Sequence, residues 1–169
     1  MLHSQLVRKV ACIALILGLV GPVRASTSYT DTYRSRLVHT DYIQQYASWL
    51  GIPVELLMTV QILETGWVPL ADKCTVLGAD GEVGIYQIMP YHAKGFGYKV
   101  VDLYNPKINT EIASKLLRDR YIKYDGDIAN VLASYNGGHY QAVLQQQYRC
   151  STTKAYVERG LKIYKELRK

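Results

Sequence analysis

The chain has 169 residues, of which 49% are hydrophobic and 20% charged, with a formal charge of +6 at neutral pH. That length bounds it to one domain, large enough for a real core. The charge comes from 20 Lys and Arg against 14 Asp and Glu, a mild bias with no dense basic stripe and no nucleic-acid motif, so no nucleic-acid partner is expected.

The first segment has the form of a leader. Arg8 and Lys9 precede the uncharged apolar run Val10 to Val20, and Gly21-Pro22 and Val23-Arg24-Ala25 follow, with small residues at −3 and −1 of a cut before Ser26. A bilayer crossing takes about 20 residues of helix, more than this run supplies. Residues 1–25 are therefore expected to be a signal peptide, with an uncleaved anchor as the alternative, and the mature chain is expected in the periplasm or outside the cell with no membrane span. The segment takes Arg8, Lys9 and Arg24 with it and no acid, so the +6 falls to +3. With Cys12 in the leader, Cys74 and Cys150 remain as a pair bound for an oxidising compartment, and a disulfide between them is expected. Such a closure stabilises by about 4 kcal/mol in the chain-entropy model. The alternative is two free thiols. No metal site is expected, because His39, His92 and His139 lack ligand spacing.

Residues 26–40 are polar and aperiodic, a lead-in to the domain. From Asp41, a possible N-cap, Tyr42, Ile43, Tyr46, Ala47, Trp49 and Leu50 share one broad helical face. Gly51 ends that helix and Pro53 suits the first turn of the next. There Leu56, Leu57, Val60, Leu63 and Glu64 fall at i, i+1, i+4, i+7 and i+8, which sets a carboxylate at the end of an apolar stripe. Gly66 stops the helix, so Glu64 lies in its last turn beside carbonyl oxygens of partial negative charge. Burial and the helix end both raise its pKa, and a carboxyl still protonated near neutral pH is what general-acid chemistry needs. On position alone, a solvated surface glutamate is the ordinary explanation.

Lys73 to Glu82 carries turn chemistry throughout, with Gly78, Asp80 and Gly81. Its acids are too few for a calcium loop. Asn105-Pro106 starts a long helix with Ile108, Ile112, Ala113, Leu116 and Leu117 on its apolar face. Asp125-Gly126-Asp127 turns the chain and caps another, where Ile128, Val131, Leu132 and Tyr135 share a face. The last helix presents Tyr156, Val157, Gly160, Leu161, Tyr164 and Leu167 inward, and Lys162, Lys165, Arg168 and Lys169 suit its C-terminus. With 15 Tyr against one Phe, nearly every aromatic ring carries a hydroxyl, which suits stacking on sugars as well as ordinary wet surfaces.

Three ordered motifs give the chain a resemblance. Glu64-Thr65 at a helix end, Gly84-Ile85-Tyr86-Gln87-Ile88-Met89-Pro90, and Ser134-Tyr135-Asn136-Gly137-Gly138 resemble the soluble (SLT) lytic transglycosylases, relatives of goose-type lysozyme that cut peptidoglycan glycan strands. Thr153-Lys154-Ala155-Tyr156-Val157 is similar to the family's closing Thr-x-x-Tyr-Val. The resemblance runs over residues 41–169 and implies a mostly α (α+β lysozyme-like) fold: a single helical domain with a small loop or β-hairpin after the catalytic helix. It implies Glu64 as the catalytic acid and then base, no cofactor, and Thr65, Tyr86, Gln87, Tyr135, Asn136 and Tyr156 as substrate-binding, with the Tyr135 hydroxyl steadying Glu64. The substrate would be peptidoglycan glycan strands and the product a 1,6-anhydro sugar.

The chain departs from the pattern at Thr65, where Ser is commoner, at Tyr86 in place of Met, and at Ser134 in place of Ala. The segment Trp67 to Gly84 is longer than the family usual, and Thr75 is taken for its loop Ser. Two other functions stay open. One is a muramidase that hydrolyses the same bond with Asp80 or Glu82 activating water. The other is a glycan-binding component of an envelope-spanning secretion or conjugation complex, which the small size suits.

Overall fold

The computed structural model describes residues 28–143 and 151–169. Its elements in chain order are the helices α1 (Tyr29–Arg34), α2 (Thr40–Leu50), α3 (Val54–Thr65), α4 (Pro90–Gly95), α5 (Pro106–Lys123), α6 (Ile128–Val143) and α7 (Ser151–Leu167), with single 3₁₀ turns at Lys73–Thr75 and Val100–Tyr104. The architecture is mostly α, as expected. The small hairpin is reduced to isolated antiparallel bridges, Leu77 with Val83 and Val83 with Ile88.

Helix α3 is the axis. Leu56, Leu57, Met58, Thr59, Val60, Gln61, Ile62 and Thr65 are all buried, so it is enclosed all round, where the spacing predicted a single stripe. Helices α2, α5 and α7 pack against it, and α6 packs on α5 and α7. Gly160 is what lets α7 come so near: a Cβ there would stand 2.7 Å from Leu132 Cδ1 and 3.0 Å from Leu63 Cδ1.

Several boundaries follow the capping chemistry. Asn105 Oδ1 accepts from Lys107 N at 2.9 Å to start α5, and Asp127 Oδ1 accepts from Asn130 N at 3.0 Å to start α6. Gly51 ends α2 at φ 66, a left-handed conformation open to glycine at little cost. Helix α2 begins at Thr40, with His39 rather than Asp41 at the N-cap.

Three expectations on packing are corrected. Trp49 is 70% exposed, because it lies beyond the Ile43–Tyr46–Ala47 face. Leu161 is exposed and Ile163 takes the buried position on α7. The polar lead-in also contains a helix. Ser28 caps α1 by accepting from Thr30 N at 3.1 Å, and α1 is fastened to α7 where Thr30 Oγ1 donates to Glu166 O at 3.1 Å and Arg34 Nη2 to Leu167 O at 3.3 Å. Six residues are too few to show a period, so tertiary bonds decide this element.

The long loop after α3 is fixed from beneath by Lys73, a fully buried lysine that donates to Arg36 O. Burial and the neighbouring Arg36 charge lower its pKa. Next to it Cys74 is half-buried, its Sγ 3.6 Å from His39 Nε2. Cys150, the other half of the expected disulfide, lies outside the described residues, as does the leader.

Candidate active site

Glu64 is the penultimate residue of α3, half-buried in the last turn. The helix closes with Gly66 N donating to Ile62 O at 2.9 Å, and Trp67 folds back so that its Nε1 donates to Glu64 O at 3.1 Å. Across from α3, Tyr156 of α7 donates from Oη to Glu64 Oε1 at 2.6 Å. The Glu64 pKa is pushed from 4.5 up to about 7, chiefly by burial. The Tyr156 hydrogen bond opposes that rise, the Glu82 charge adds to it, and Arg159 opposes it more weakly. Glu64 is thus poised to hold or release a proton at neutral pH.

The second motif builds the wall beside Glu64. Val83 and Ile88 exchange N–H···O bonds of 3.0 Å each way, and the four residues between them turn tightly, with φ +79 at Gly84 and +48 at Gln87. A Cβ on Gly84 would sit 2.5 Å from Asn109 Nδ2 and 2.8 Å from Leu103 O, so only glycine fits there. Asn109, buried on α5, holds the turn from behind. Its Oδ1 accepts from Tyr86 N at 3.0 Å, and its Nδ2 donates to Val83 O at 2.8 Å and Leu103 O at 2.9 Å.

The same turn is pinned from two further sides. Thr65 Oγ1 donates to Ile85 O at 3.0 Å and Gln61 O at 3.2 Å, and Tyr135 Oη donates to Tyr86 O at 2.8 Å. Gln87 braces it within, Nε2 donating to Gly84 O at 2.9 Å and Val76 O at 3.4 Å. Three side chains from α3, α5 and α6 therefore converge on one backbone turn.

In front of this wall lies a cleft of about 430 Å³. Glu64, Asp80, Glu82 and Gln87 line one side of it, Tyr91 and His92 come from α4, Arg120 from α5, and Tyr135, Asn136 and the following glycines from α6. Glu82 and Asp80 belong to one local structure, Glu82 Oε2 accepting from Asp80 N at 3.0 Å. Asn136 is exposed, its Oδ1 accepting from Thr153 Oγ1 at 3.0 Å. Just beyond it, α6 is interrupted at Gly138, with φ 78 and ψ 173. Among the described residues no three His, Cys, Asp or Glu side chains converge to hold a metal ion.

Glu64, Gln87, Tyr135 and Asn136 thus share the cleft expected of them. Thr65 and Tyr86 do not face it. Both are fully buried, Thr65 because its hydroxyl serves the turn, and Tyr86 because its ring packs in the hydrophobic core. The Tyr86 hydroxyl lies beside Gln61 and makes no hydrogen bond of good geometry there, while Gln61 bonds N and O of Val38. Burial pushes its pKa far up. Tyr156 is buried and meets Glu64 from behind, so it takes the steadying role expected of Tyr135. Thr75 is exposed, its Oγ1 donating to Asp72 O at 3.0 Å, and is outside the cleft lining. Sequence reasoning missed Asn109, Arg120 and Tyr91. Asn109 alone left a signal, a polar residue one helical turn before Ile112 and Ala113 on the buried face of α5.

A family model of the transglycosylase SLT domain matches residues 41–157, and the chain belongs to that family. Among solved structures, it is similar to the 70-kDa soluble lytic transglycosylase of Escherichia coli, with a TM-score of 0.71 and 20% identity over 82% of this chain and 25% of that one. A 70-kDa soluble lytic transglycosylase in complex with bulgecin A gives 0.70 and 21%, over 82% and 25% of the two chains. An inactive mutant of lytic transglycosylase Slt from Pseudomonas aeruginosa gives 0.64 and 16%, over 75% and 23%. These are likenesses of fold, and this chain spans about a quarter of the length of those proteins.

Proposed function

We propose that the protein is a peptidoglycan lytic transglycosylase, which cleaves the β-1,4 bond between N-acetylmuramic acid and N-acetylglucosamine without consuming water. The observation that carries this is Glu64, a carboxyl raised to about 7 at the wall of a glycan-sized cleft and held by one tyrosine. Protonated Glu64 gives its proton to the glycosidic oxygen, and the bond from muramic C1 to that oxygen breaks. The substrate's own N-acetyl group stabilises the cation that develops at C1. Glu64, now the anion, takes the proton of the muramic C6 hydroxyl, whose oxygen closes on C1 to form the 1,6-anhydro ring. The proton count balances, and Glu64 ends as it began. A pKa near 7 suits a group that must act first as acid and then as base. Gln87 and Asn136 offer polar atoms to the sugars along the cleft, and the Tyr135 ring lines it. The substrate lies beyond the cytoplasmic membrane, and the reading therefore includes export of the chain by its leader.

Hydrolysis is the second reading, favoured by Asp80 and Glu82 in the same cleft, where a second carboxylate would activate water. Mass spectrometry of the products released from peptidoglycan sacculi separates the two. Anhydro-muropeptides, one water lighter than reducing ones and absent with Glu64→Gln, are the expected result. Reducing ends dependent on Asp80 or Glu82 would replace the lyase with a muramidase, and no product from the wild type would leave a glycan-binding role.

A further inference from the structure

We infer that Arg120 is a specificity-determining residue of the cleft that binds a carboxylate carried by the glycan strand; this rests on the proposed peptidoglycan substrate. Arg120 is half-buried in the wall of the cleft that holds Glu64. Its Nη1 donates to Leu116 O at 2.9 Å, and its guanidinium lies 5.6 Å from the Tyr135 ring centroid. Its Nε is buried with no hydrogen-bond partner. Among the described residues no carboxylate stands within ion-pair distance of it, the ion pairs there being Lys115–Glu111, Lys154–Glu158 and Lys169–Glu166.

A guanidinium so placed is costly. A buried donor left unmade costs more than a typical hydrogen bond returns, and a partly desolvated charge calls for a counter-charge. Glu64, Asp80 and Glu82 line the same cleft, yet none of them pairs with it. His92 stands close by, held below its usual pKa by burial and then by the Arg120 charge, so it does not share the positive charge at neutral pH. The guanidinium N–H groups that do not donate to Leu116 O form a planar, charged donor set that suits a carboxylate above other groups. A peptidoglycan strand offers that group in two places: the free lactyl carboxylate of a peptide-free muramic acid, and the carboxylates of the stem peptide. The shared chemistry is a carboxylate hung from the muramic side of the strand.

The test measures binding, not turnover, so that it stands apart from the outcome of the chemistry. Glu64→Gln protein, with and without Arg120→Gln or Arg120→Lys, is titrated calorimetrically with three soluble tetrasaccharides. One is peptide-bearing, one is peptide-free with its lactyl carboxylates, and one is a chitin fragment without carboxylates. Arg120→Gln is expected to weaken one of the first two by roughly tenfold or more, the scale of a lost charged hydrogen bond. The chitin fragment is expected to bind within about twofold of the parent, and Arg120→Lys to recover part of the loss. Loss on the peptide-bearing ligand alone names the stem peptide, and loss on the peptide-free one names the lactyl group. An equal loss on all three would show that Arg120 acts through packing on Tyr135 and would overturn the inference. No loss on any, or no binding of either carboxylate-bearing ligand by the parent, would overturn it as well. Product analysis that fails to find cleavage would remove the lyase assignment without touching this result.

Discussion

Replacing Glu64 by Gln is expected to stabilise the protein in a pH-dependent way. In the folded chain the Glu64 carboxyl titrates at about 7, against 4.5 for an ordinary glutamate. At about 1.4 kcal/mol for each pH unit, that separation corresponds to about 3 kcal/mol. Below pH 4.5 both folded and unfolded chains hold the proton, and the wild type keeps its full stability from this group. As pH rises from 4.5 to 7 the unfolded chain releases the proton first, so wild-type stability falls. Above about 7 the loss is complete. Glutamine does not titrate, and its side-chain oxygen still accepts from the Tyr156 hydroxyl that now donates to Oε1 at 2.6 Å. The stability of Glu64→Gln relative to the wild type should therefore grow by about 3 kcal/mol between pH 4 and pH 8. For a domain of this size that is a relative gain of roughly 6 to 12 °C in Tm. Thermal unfolding followed by circular dichroism at both pH values measures it. If the difference between the two proteins is the same at pH 4 and pH 8, Glu64 titrates like an ordinary glutamate and the acid–base argument fails with it.

The neighbours of Glu64 should move its titration in opposite directions. Tyr156→Phe removes a hydrogen bond that lowers the Glu64 pKa, so the alkaline limb of the pH–rate profile should shift to higher pH; a shift the other way would refute the assignment. Glu82→Gln removes a charge that raises it, and the limb should shift to lower pH in the same assay. Asn109→Leu leaves Tyr86 N and Leu103 O without their partner and Val83 O with only its bond from Ile88 N, and should cost about 3 kcal/mol; a loss under about 1 kcal/mol in urea unfolding would show that the turn supports itself. Gly160→Ala should cost about 1 to 3 kcal/mol, lowering the urea midpoint at constant m, because the ends of Leu132 and Leu63 must yield to the new methyl.

The helices were legible where a single residue both ends a pattern and makes a bond. Gly51, Asn105 and Asp127 are of this kind, and each caps a helix end as its chemistry requires. Glu64 was legible for a similar reason: a carboxylate extending an apolar stripe is conspicuous in any window of sequence. A motif, by contrast, says that positions matter without saying which way they point. Thr65 and Tyr86 lie within motifs and serve the backbone turn and the core instead of the cleft. The exchange of roles between Tyr135 and Tyr156 has the same origin, since both hydroxyls are buried near the acid and only the three-dimensional path decides which reaches Oε1. Helix α1 was invisible because its partners lie at Glu166 and Leu167, far outside any local window. Arg120 left no local signal, because a cation on a long helix gains its meaning only from the cleft that it lines.

The hydrogen bond between Tyr156 and Glu64 joins residues 92 positions apart, and it bears on when the protein becomes competent. Helix α7 leaves the ribosome after every other described helix, and it supplies the hydroxyl that holds the acid. Until α7 docks, Glu64 lacks the side-chain donor that holds its carboxyl in the folded chain. The acid is thus fixed in place only when the helix carrying Tyr156 has closed over the third.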